Sequence, residues 1–312
     1  MRVVEVGEYG EPEVLREAQR PDPRPEPGRV RVRVAAATVN PVDLWTRAGA
    51  VQAMTPGLTP PFVLGWDLAG TVLESSAGFA AGQRVAGMVP WFGVGKDGIG
   101  TYAEIVSALP EWLAPLPDGV GFAAAATLGM NAQTAAQSLD LLALRAGQTV
   151  LVTGASGAVG GFAVELAAAA GAHVLALAGG PDDEAHLAGL GAKQVVPRTA
   201  PSSLAAAVRE LQPGGVDAVL DAALLGQPVL GAVADGGVFI GASAPLPVAE
   251  RGIRVQAVET EPDGRRLAGL LADLAARRLT ARVRATLPLS QAAEAHRRAA
   301  IPGQRGKLVL LP

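Results

Sequence analysis

The 312-residue chain contains no cysteine. That excludes a disulfide framework, a thiolate nucleophile and any cysteine metal site. Histidine is scarce. His173, His186 and His296 are the only three, all in the second half, which argues against a histidine-rich metal centre. Aromatic residues make up 4% of the chain, and Tyr9 and Tyr102 are the only tyrosines. No excess of one charge exists either: 26 Lys and Arg against 29 Asp and Glu leave −3, so the basic face that a nucleic-acid partner requires is not expected. No stretch of about 18 apolar residues runs free of glycine or charge, so no membrane span is expected. The alanine-rich run 162–170 carries Glu165 and is too short to cross a bilayer. The opening MRVVEVGEYG reads as a charged strand and not as a leader, so a cytoplasmic location is expected.

What is present is a large apolar fraction, 49%, punctuated by 39 glycines and 24 prolines. The length suggests about two domains. Up to a turn at Pro117-Asp118-Gly119 the chain reads as short strands, at 30–35, 62–64, 70–72, 82–86 and 102–106. Residues 122–144 are Ala/Leu-rich and helical. Apolar strands then alternate with helices: strands at 149–153, 173–178, 194–196, 216–220, 238–241 and 253–258, and helices at 159–170, 181–190, 203–211 and 264–278. That alternation predicts a parallel sheet covered on both faces. After 278 the strand-rich style returns, with strands at 281–287 and 307–311 around a helix at 291–300.

The strongest motif is Leu151-Val152-Thr153-Gly154-Ala155-Ser156-Gly157-Ala158-Val159-Gly160, directly after a strand and opening a helix. Gly154, Gly157 and Gly160 allow a tight turn, close approach of a diphosphate and close helix–strand packing. The helix N-terminus offers free N–H groups and a positive dipole end. A P-loop would need Gly-Lys-Ser/Thr, but Gly161 and Phe162 follow Gly160. A short-chain dehydrogenase would need a tyrosine followed four residues later by lysine, and neither Tyr9 nor Tyr102 has one. The second strand of the alternating region ends at Ala178-Gly179-Gly180 without the carboxylate that holds the ribose hydroxyls in an NAD site. Arg198, after the third strand, is placed to meet a 2′-phosphate, so NADPH is favoured over NADH. Asp221 and Ala222 fall at the carboxyl edge where such sheets bind ligands.

Further motifs occur in order along the chain. They are Val39-Asn40-Pro41-Val42-Asp43, Arg47-Ala48-Gly49, Pro61-Phe62-Val63-Leu64-Gly65-Trp66-Asp67-Leu68-Ala69-Gly70, Gly82-Gln83-Arg84-Val85, Gly100-Thr101-Tyr102-Ala103-Glu104 and Gly306-Lys307. Together with the glycine turn, the chain resembles the zinc-free medium-chain dehydrogenase/reductases, in the NADPH:quinone oxidoreductase (zeta-crystallin-like) branch. The resemblance implies an α/β protein: a GroES-like, mostly β domain from 1–119 and 280–312, a Rossmann doubly wound parallel sheet over 120–279, and an active site in the cleft between them. It implies hydride transfer from NADPH to a quinone or other α,β-unsaturated carbonyl without zinc. Zinc-dependent relatives carry cysteine where this chain has Asn40, histidine where it has Trp66, and a third ligand near Met130.

The resemblance also implies roles. Asn40 lies beside the nicotinamide, either as an amide donor to a developing oxyanion or as an Asx turn before Pro41. Thr134 lies near the nicotinamide or bonds its own helix. Trp45 stacks on a quinone ring or packs in the core. Tyr102 donates a proton or packs. Gly241, Ala242 and Ser243 contact the nicotinamide end through backbone groups, and Lys307 approaches a cofactor phosphate or ends a loop. Asp43 and Asp67 read as structural, and His173 and His186 carry no assigned role. The 90–100 loop with Trp91 and Phe92 reads as a lid. The strand at 253–258 is expected at a sheet edge, pairing two subunits into a homodimer. Two other readings stay open: an enoyl-thioester reductase, and a non-catalytic NADPH-binding protein.

Overall fold

The computed structural model describes every residue except Pro56 and 91–98, so most of the expected lid, Trp91 and Phe92 included, lies outside the described residues. The first part of the chain forms β1 (Arg2–Val6), β2 (Leu15–Gln19), β3 (Val30–Thr38), α1 (Pro41–Arg47), β4 (Phe62–Val63), β5 (Asp67–Val72), β6 (Arg84–Met88), β7 (Ile105–Ala108) and β8 (Leu113–Pro115). Two helices follow, α2 (Phe122–Ala126) and α3 (Asn131–Leu142). The alternating region gives β9 (Thr149–Thr153), α4 (Ala158–Ala169), β10 (His173–Leu177), α5 (Glu184–Gly189), β11 (Gln194–Val196), α6 (Pro201–Leu211), β12 (Val216–Asp221), α7 (Gln227–Leu230), β13 (Val233–Gly241) and β14 (Arg254–Ala257). The tail forms α8 (Gly264–Ala275), β15 (Val283–Pro288), α9 (Ala292–Ala299) and β16 (Lys307–Leu311).

These elements form two compact units. The first is Met1–Gln133 with Glu261–Pro312, and the second is Thr134–Thr260. Relative to the 119/120 and 279/280 boundaries read from composition, the first unit also takes in α2, the start of α3 and α8. The reason for α8 is packing. Its Leu267, Leu270 and Leu271, at helical spacing, are buried. The Cβ that Gly264 lacks would collide with the Leu113 carbonyl, so only glycine lets this helix lie against β8. Asp263 caps it by accepting the Arg266 N–H at 2.9 Å.

In the first unit the described strands make two sheets, one ordered β2-β1-β4 and the other β15-β16-β3-β5-β6-β8, with β7 also paired to β3. The Val–Arg alternation of β3 buries Val30, Val32 and Val34 and turns Arg33 to solvent. From Ala36 onward every residue is buried, so the end of β3 runs into the interior. The last strand, β16, pairs antiparallel with that end, Val309 opposite Thr38. The two ends of the chain thereby share one core, with Val32, Phe62, Leu68, Val106, Leu308 and Leu310 in a single cluster. Each fully buried Leu or Val contributes roughly 1.5–3 kcal/mol.

The second unit is a sheet of described strands ordered β11-β10-β9-β12-β13-β14, parallel throughout. The order runs outward from β9 in one direction and from β12 in the other. The crevice between β9 and β12 is therefore the switch point where such sheets bind ligands, at the carboxyl ends of the strands. The helical stretch expected over 122–144 is broken into α2 and α3. At the break Met130 N–H donates to the Asp67 carboxylate, and a side chain on Gly129 would collide with Asp67 and with the Gly87 carbonyl. No described helix is long and apolar enough to cross a membrane.

Candidate active site

In the second unit β9 delivers the chain into the glycine turn and α4 leaves it. Gly154 adopts φ +58°, in the left-handed region. Gly157 is the N-cap of α4. A Cβ on Gly157 would lie 3.0 Å from the Gly154 carbonyl oxygen, and one on Gly160 would be driven into the same oxygen and within 2.8 Å of Ala155 Cα. The absence of side chains thus leaves a cradle lined by backbone, opened by the N-terminal end of a 12-residue helix. The Ala222 carbonyl carbon would lie 3.1 Å from a Cβ on Gly154, which brings Ala222 to the turn. A Cβ on Gly179 would lie 3.0 Å from Ser156 Oγ, so Ser156 and the end of β10 also meet there. Arg198 donates Nη1–H to the Gly179 carbonyl at 2.6 Å and is otherwise exposed, which sets its guanidinium beside the Ala178-Gly179-Gly180 end.

Asp183 is the carboxylate that comes closest to an NAD-type acid. It is buried, and its Oδ2 accepts the Gly179 N–H at 2.7 Å. Two groups expected at the cofactor are engaged within the protein. The Asp221 carboxylate points inward, with Oδ1 accepting Thr153 Oγ1–H at 2.5 Å and Oδ2 accepting Gly226 N–H at 2.8 Å. It ties β12 to β9 and is not offered to a ligand. Ala242 N–H is likewise committed, to the Asp221 carbonyl at 3.1 Å. Gly241 and Ser243 flank it at the end of β13. Thr134 bonds Thr260 Oγ1 at 2.8 Å.

The first unit holds a buried polar cluster around Asn40. Lys307, at the start of β16, donates from Nζ to the Val39 carbonyl at 2.5 Å and to Asn40 Oδ1 at 2.7 Å. Asn131 Nδ2 donates to the same Oδ1 at 3.2 Å. Asn40 Nδ2 donates to Asp67 Oδ2 at 2.6 Å, and Thr38 Oγ1 donates to that oxygen at 2.5 Å. The amide orientation is unambiguous. An ammonium only donates and a carboxylate only accepts, so a flipped amide would face two repulsions. Burial raises the Asp67 carboxyl, while Lys307, Thr38, Asn40 and the Met130 N–H pull it back. Burial lowers the Lys307 amine to about 8, against the attraction of Asp67 and Asp43. Burial pushes Asp43 up to about 7, although Asn40 N–H and Gly65 N–H both donate to it, at 2.8 and 3.0 Å.

This corrects the reading of Lys307 as a phosphate ligand. Its amine is buried in the interior of the first unit. Of the two readings of Tyr102, its placement favours packing over proton donation: it is fully buried, and its hydroxyl lies 3.1 Å from His296 Nε2. His296 Nδ1 lies 3.4 Å from Arg47 Nη1. Because Arg47 can only donate, Nδ1 accepts and Nε2 carries the hydrogen, which it gives to the Tyr102 oxygen. Burial and the Arg47 charge lower the His296 imidazole to about 3, so it is neutral. Burial and the facing Asp43 hold the Tyr102 hydroxyl well above its usual range, so it remains a phenol. Trp45, by contrast, is 38% exposed on α1 and is not a core residue. His296 escaped sequence reading because its partners lie 194 and 249 residues away.

Comparison with known proteins agrees with this architecture. The alcohol dehydrogenase GroES-like domain matches residues 26–118, and the zinc-binding dehydrogenase domain matches 190–310. A mouse quinone oxidoreductase is 36% identical over 200 residues, spanning 62% of this chain but only 57% of that relative's length. An acrylyl-CoA reductase, AcuI, of Ruegeria pomeroyi is 35% identical over 253 residues, 75% of this chain and 73% of its own. The chain belongs to the medium-chain dehydrogenase/reductase family. Within it the similarity to quinone oxidoreductases extends to structure. The Coxiella burnetii quinone oxidoreductase superimposes with a TM-score of 0.86 at 26% identity, covering 100% of this chain and 99% of that one. A crystal structure titled as an NAD-dependent alcohol dehydrogenase gives 0.88 at 33% identity, with 100% of both chains covered. A mycobacterial protein solved with NADPH gives 0.83 at 27% identity, with 100% of both covered.

The zinc-binding description of the family domain does not fit the side chains here. Asn40 offers an amide already bonded to an ammonium, Trp66 an indole and Met130 a thioether, none of them a good zinc donor. Among the described residues no three His, Cys, Asp or Glu side chains are grouped to hold a metal ion. Asp67, the carboxylate next to Trp66, is occupied by three protein donors.

Proposed function

We propose that the chain is an NADPH-dependent oxidoreductase that reduces a quinone or another α,β-unsaturated carbonyl without a metal ion. The observation that carries this reading is the backbone cradle of Gly154, Gly157 and Gly160 at the switch point of a parallel sheet. A glycine turn of this kind ahead of a helix N-terminus suits the diphosphate of a dinucleotide. Ala158 and Val159, in the first turn of α4, would present N–H groups to that diphosphate. Ser156, Gly179, Gly180 and Arg198 would hold the adenosine ribose end. The family's reduced nicotinamide, when bound, supplies the hydride. An enone or quinone already carries an electron-poor carbon, so its reduction needs less polarisation than that of a simple carbonyl. Asn40, Thr134 and Trp45 remain the side chains proposed to orient the reacting groups, Trp45 as an exposed ring for stacking.

NADPH is favoured over NADH by two features. The Asp183 carboxylate is buried against Gly179 N–H and so is withdrawn from a ribose, while Arg198 is exposed and cationic at the same strand end. The test is oxidation of NADPH and NADH, followed at the nicotinamide absorbance, against a panel of quinones and enones. A higher kcat/KM with NADPH is expected. Preference for NADH would remove the phosphate assignment, and loss of activity on chelation would remove the metal-free one.

A second reading, reduction of an enoyl thioester, is favoured by the length of the match to the Ruegeria acrylyl-CoA reductase. Including acrylyl-CoA and crotonyl-CoA in the panel separates the two. The cytoplasm is the proposed compartment. A homodimer is also proposed, joined along β14, which ends the order of described strands in its sheet. A monomeric mass by light scattering at micromolar concentration would refute it.

A further inference from the structure

Lys307 is the most unusual charge in the molecule. It is 6% exposed, and its amine lies among polar groups in the interior of the first unit. It grips one short segment, through the carbonyl of Val39 and the side chain of Asn40, the residue that opens α1. The same helix carries Trp45 a turn further on. At its far end, Arg47 donates to the Gly10 carbonyl at 2.9 Å and contacts His296. The charged groups facing the ammonium are Asp67 on β5 and Asp43 on α1. Beyond Asp43 stand Tyr102, His296 and Arg47, with Tyr102 and His296 neutral. Burying a lysine costs stability, and here the cost is offset by Asp67 and Asp43.

We propose that Lys307 is a positioning residue for the reduction: its ammonium cancels the charge of Asp67 and holds Asn40 and α1 in the geometry that the acceptor meets. This rests on the reading of α1 as the acceptor-facing helix. With Lys307 in place, the Asn40 amide is drawn between a cation and a carboxylate and has one orientation. Without it, Asp67 becomes an uncompensated buried charge, Asn40 Oδ1 keeps only the longer bond from Asn131, and the Val39 carbonyl loses the ammonium. The head of α1 then loosens. Deprotonation of the amine at alkaline pH has the same consequence, since an uncharged amine no longer balances Asp67.

The test uses the full chain labelled with 5-fluorotryptophan, its Trp45 resonance assigned through Trp45→Phe. Lys307→Met is expected to lower Tm, to leave the NADPH dissociation constant within twofold and to reduce kcat at least tenfold. Lys307→Met combined with Asp67→Asn removes both charges. It is expected to regain most of the Tm but not the kcat, and in both variants the Trp45 fluorine signal shifts. Wild-type kcat is expected to fall as pH rises past about 8, the value to which burial brings the amine, and the residual activity of Lys307→Met is expected to lack that limb. A charge-neutral double variant with wild-type kcat and an unmoved Trp45 signal overturns the proposal. If the wild-type protein reduces no quinone, enone or enoyl thioester, the acceptor reading fails. The Trp45 signal then decides the role of Lys307 alone: a shift in the double variant supports it and an unchanged signal refutes it.

Discussion

Adding one methyl group at Gly160 tests the cofactor cradle directly. In Gly160→Ala the new carbon has nowhere to go, because it meets the Gly154 carbonyl and comes within 2.8 Å of Ala155 Cα, both backbone. No side chain can swing aside. The turn must open, and overpacking of that kind costs about 1–3 kcal/mol. On the proposed reading the displaced atoms line the diphosphate site, so the strain is expected in binding, where it corresponds to about a 5- to 150-fold rise in the NADPH dissociation constant. Isothermal titration with NADPH reads this without any acceptor. A control comes from Gly269, in the interior of α8, where an added Cβ meets nothing within 4 Å. Gly269→Ala is expected to raise Tm by a few degrees, from about 1 kcal/mol of helix propensity, and to leave the dissociation constant unchanged. If Gly160→Ala binds NADPH within twofold of wild type while remaining folded, the backbone around 154–160 is not where the diphosphate sits.

Three other outcomes are expected. Arg198→Glu should raise the KM for NADPH about tenfold or more, the worth of a charge-assisted hydrogen bond of about 1.5–3 kcal/mol, and leave NADH within twofold; retained NADPH kinetics would free Arg198 of its role. His296→Gln should lower Tm at pH 7, because the imidazole that bridges Tyr102 and Arg47 is lost. It should also flatten acid unfolding: the neutral imidazole stabilises the fold fully above about 6.5, and that contribution is lost as pH falls toward about 3. Parallel acid-melting curves for the two proteins would contradict this. Trp45→Ala should reduce kcat/KM for bulky quinones more than for small enones, with Tm nearly unchanged because the indole is 38% exposed; a uniform loss across acceptors would argue against stacking.

The parts of the molecule that could be read from the sequence share one property: their determinants are local. The strand at 149–153, the turn after it and the helix that follows are encoded within a dozen residues, by apolar periodicity and glycine spacing, and β9, α4 and the cradle appear where those patterns lie. The same holds for β16, a short apolar run after a turn. The polar cluster was not legible in this way. Asn40, Asp67 and Lys307 were each visible as residues, but Lys307 meets Asn40 across 267 positions, and nothing near either one announces the bond. Tyr102 was placed near the chemistry by its surroundings in sequence, and only the fold shows its hydroxyl turned to His296. The first unit takes in α8 through a contact made by an absent side chain, Gly264 against Leu113, which composition does not report.

The strand that carries Lys307 pairs with β3, from far earlier in the sequence, and brings the cation that faces Asp67. Until that long-range pairing forms, Asp67 and Asp43 lack the positive charge that offsets their burial. A polypeptide in which β16 has not yet docked would therefore be held short of the native state by electrostatics as well as by a missing strand.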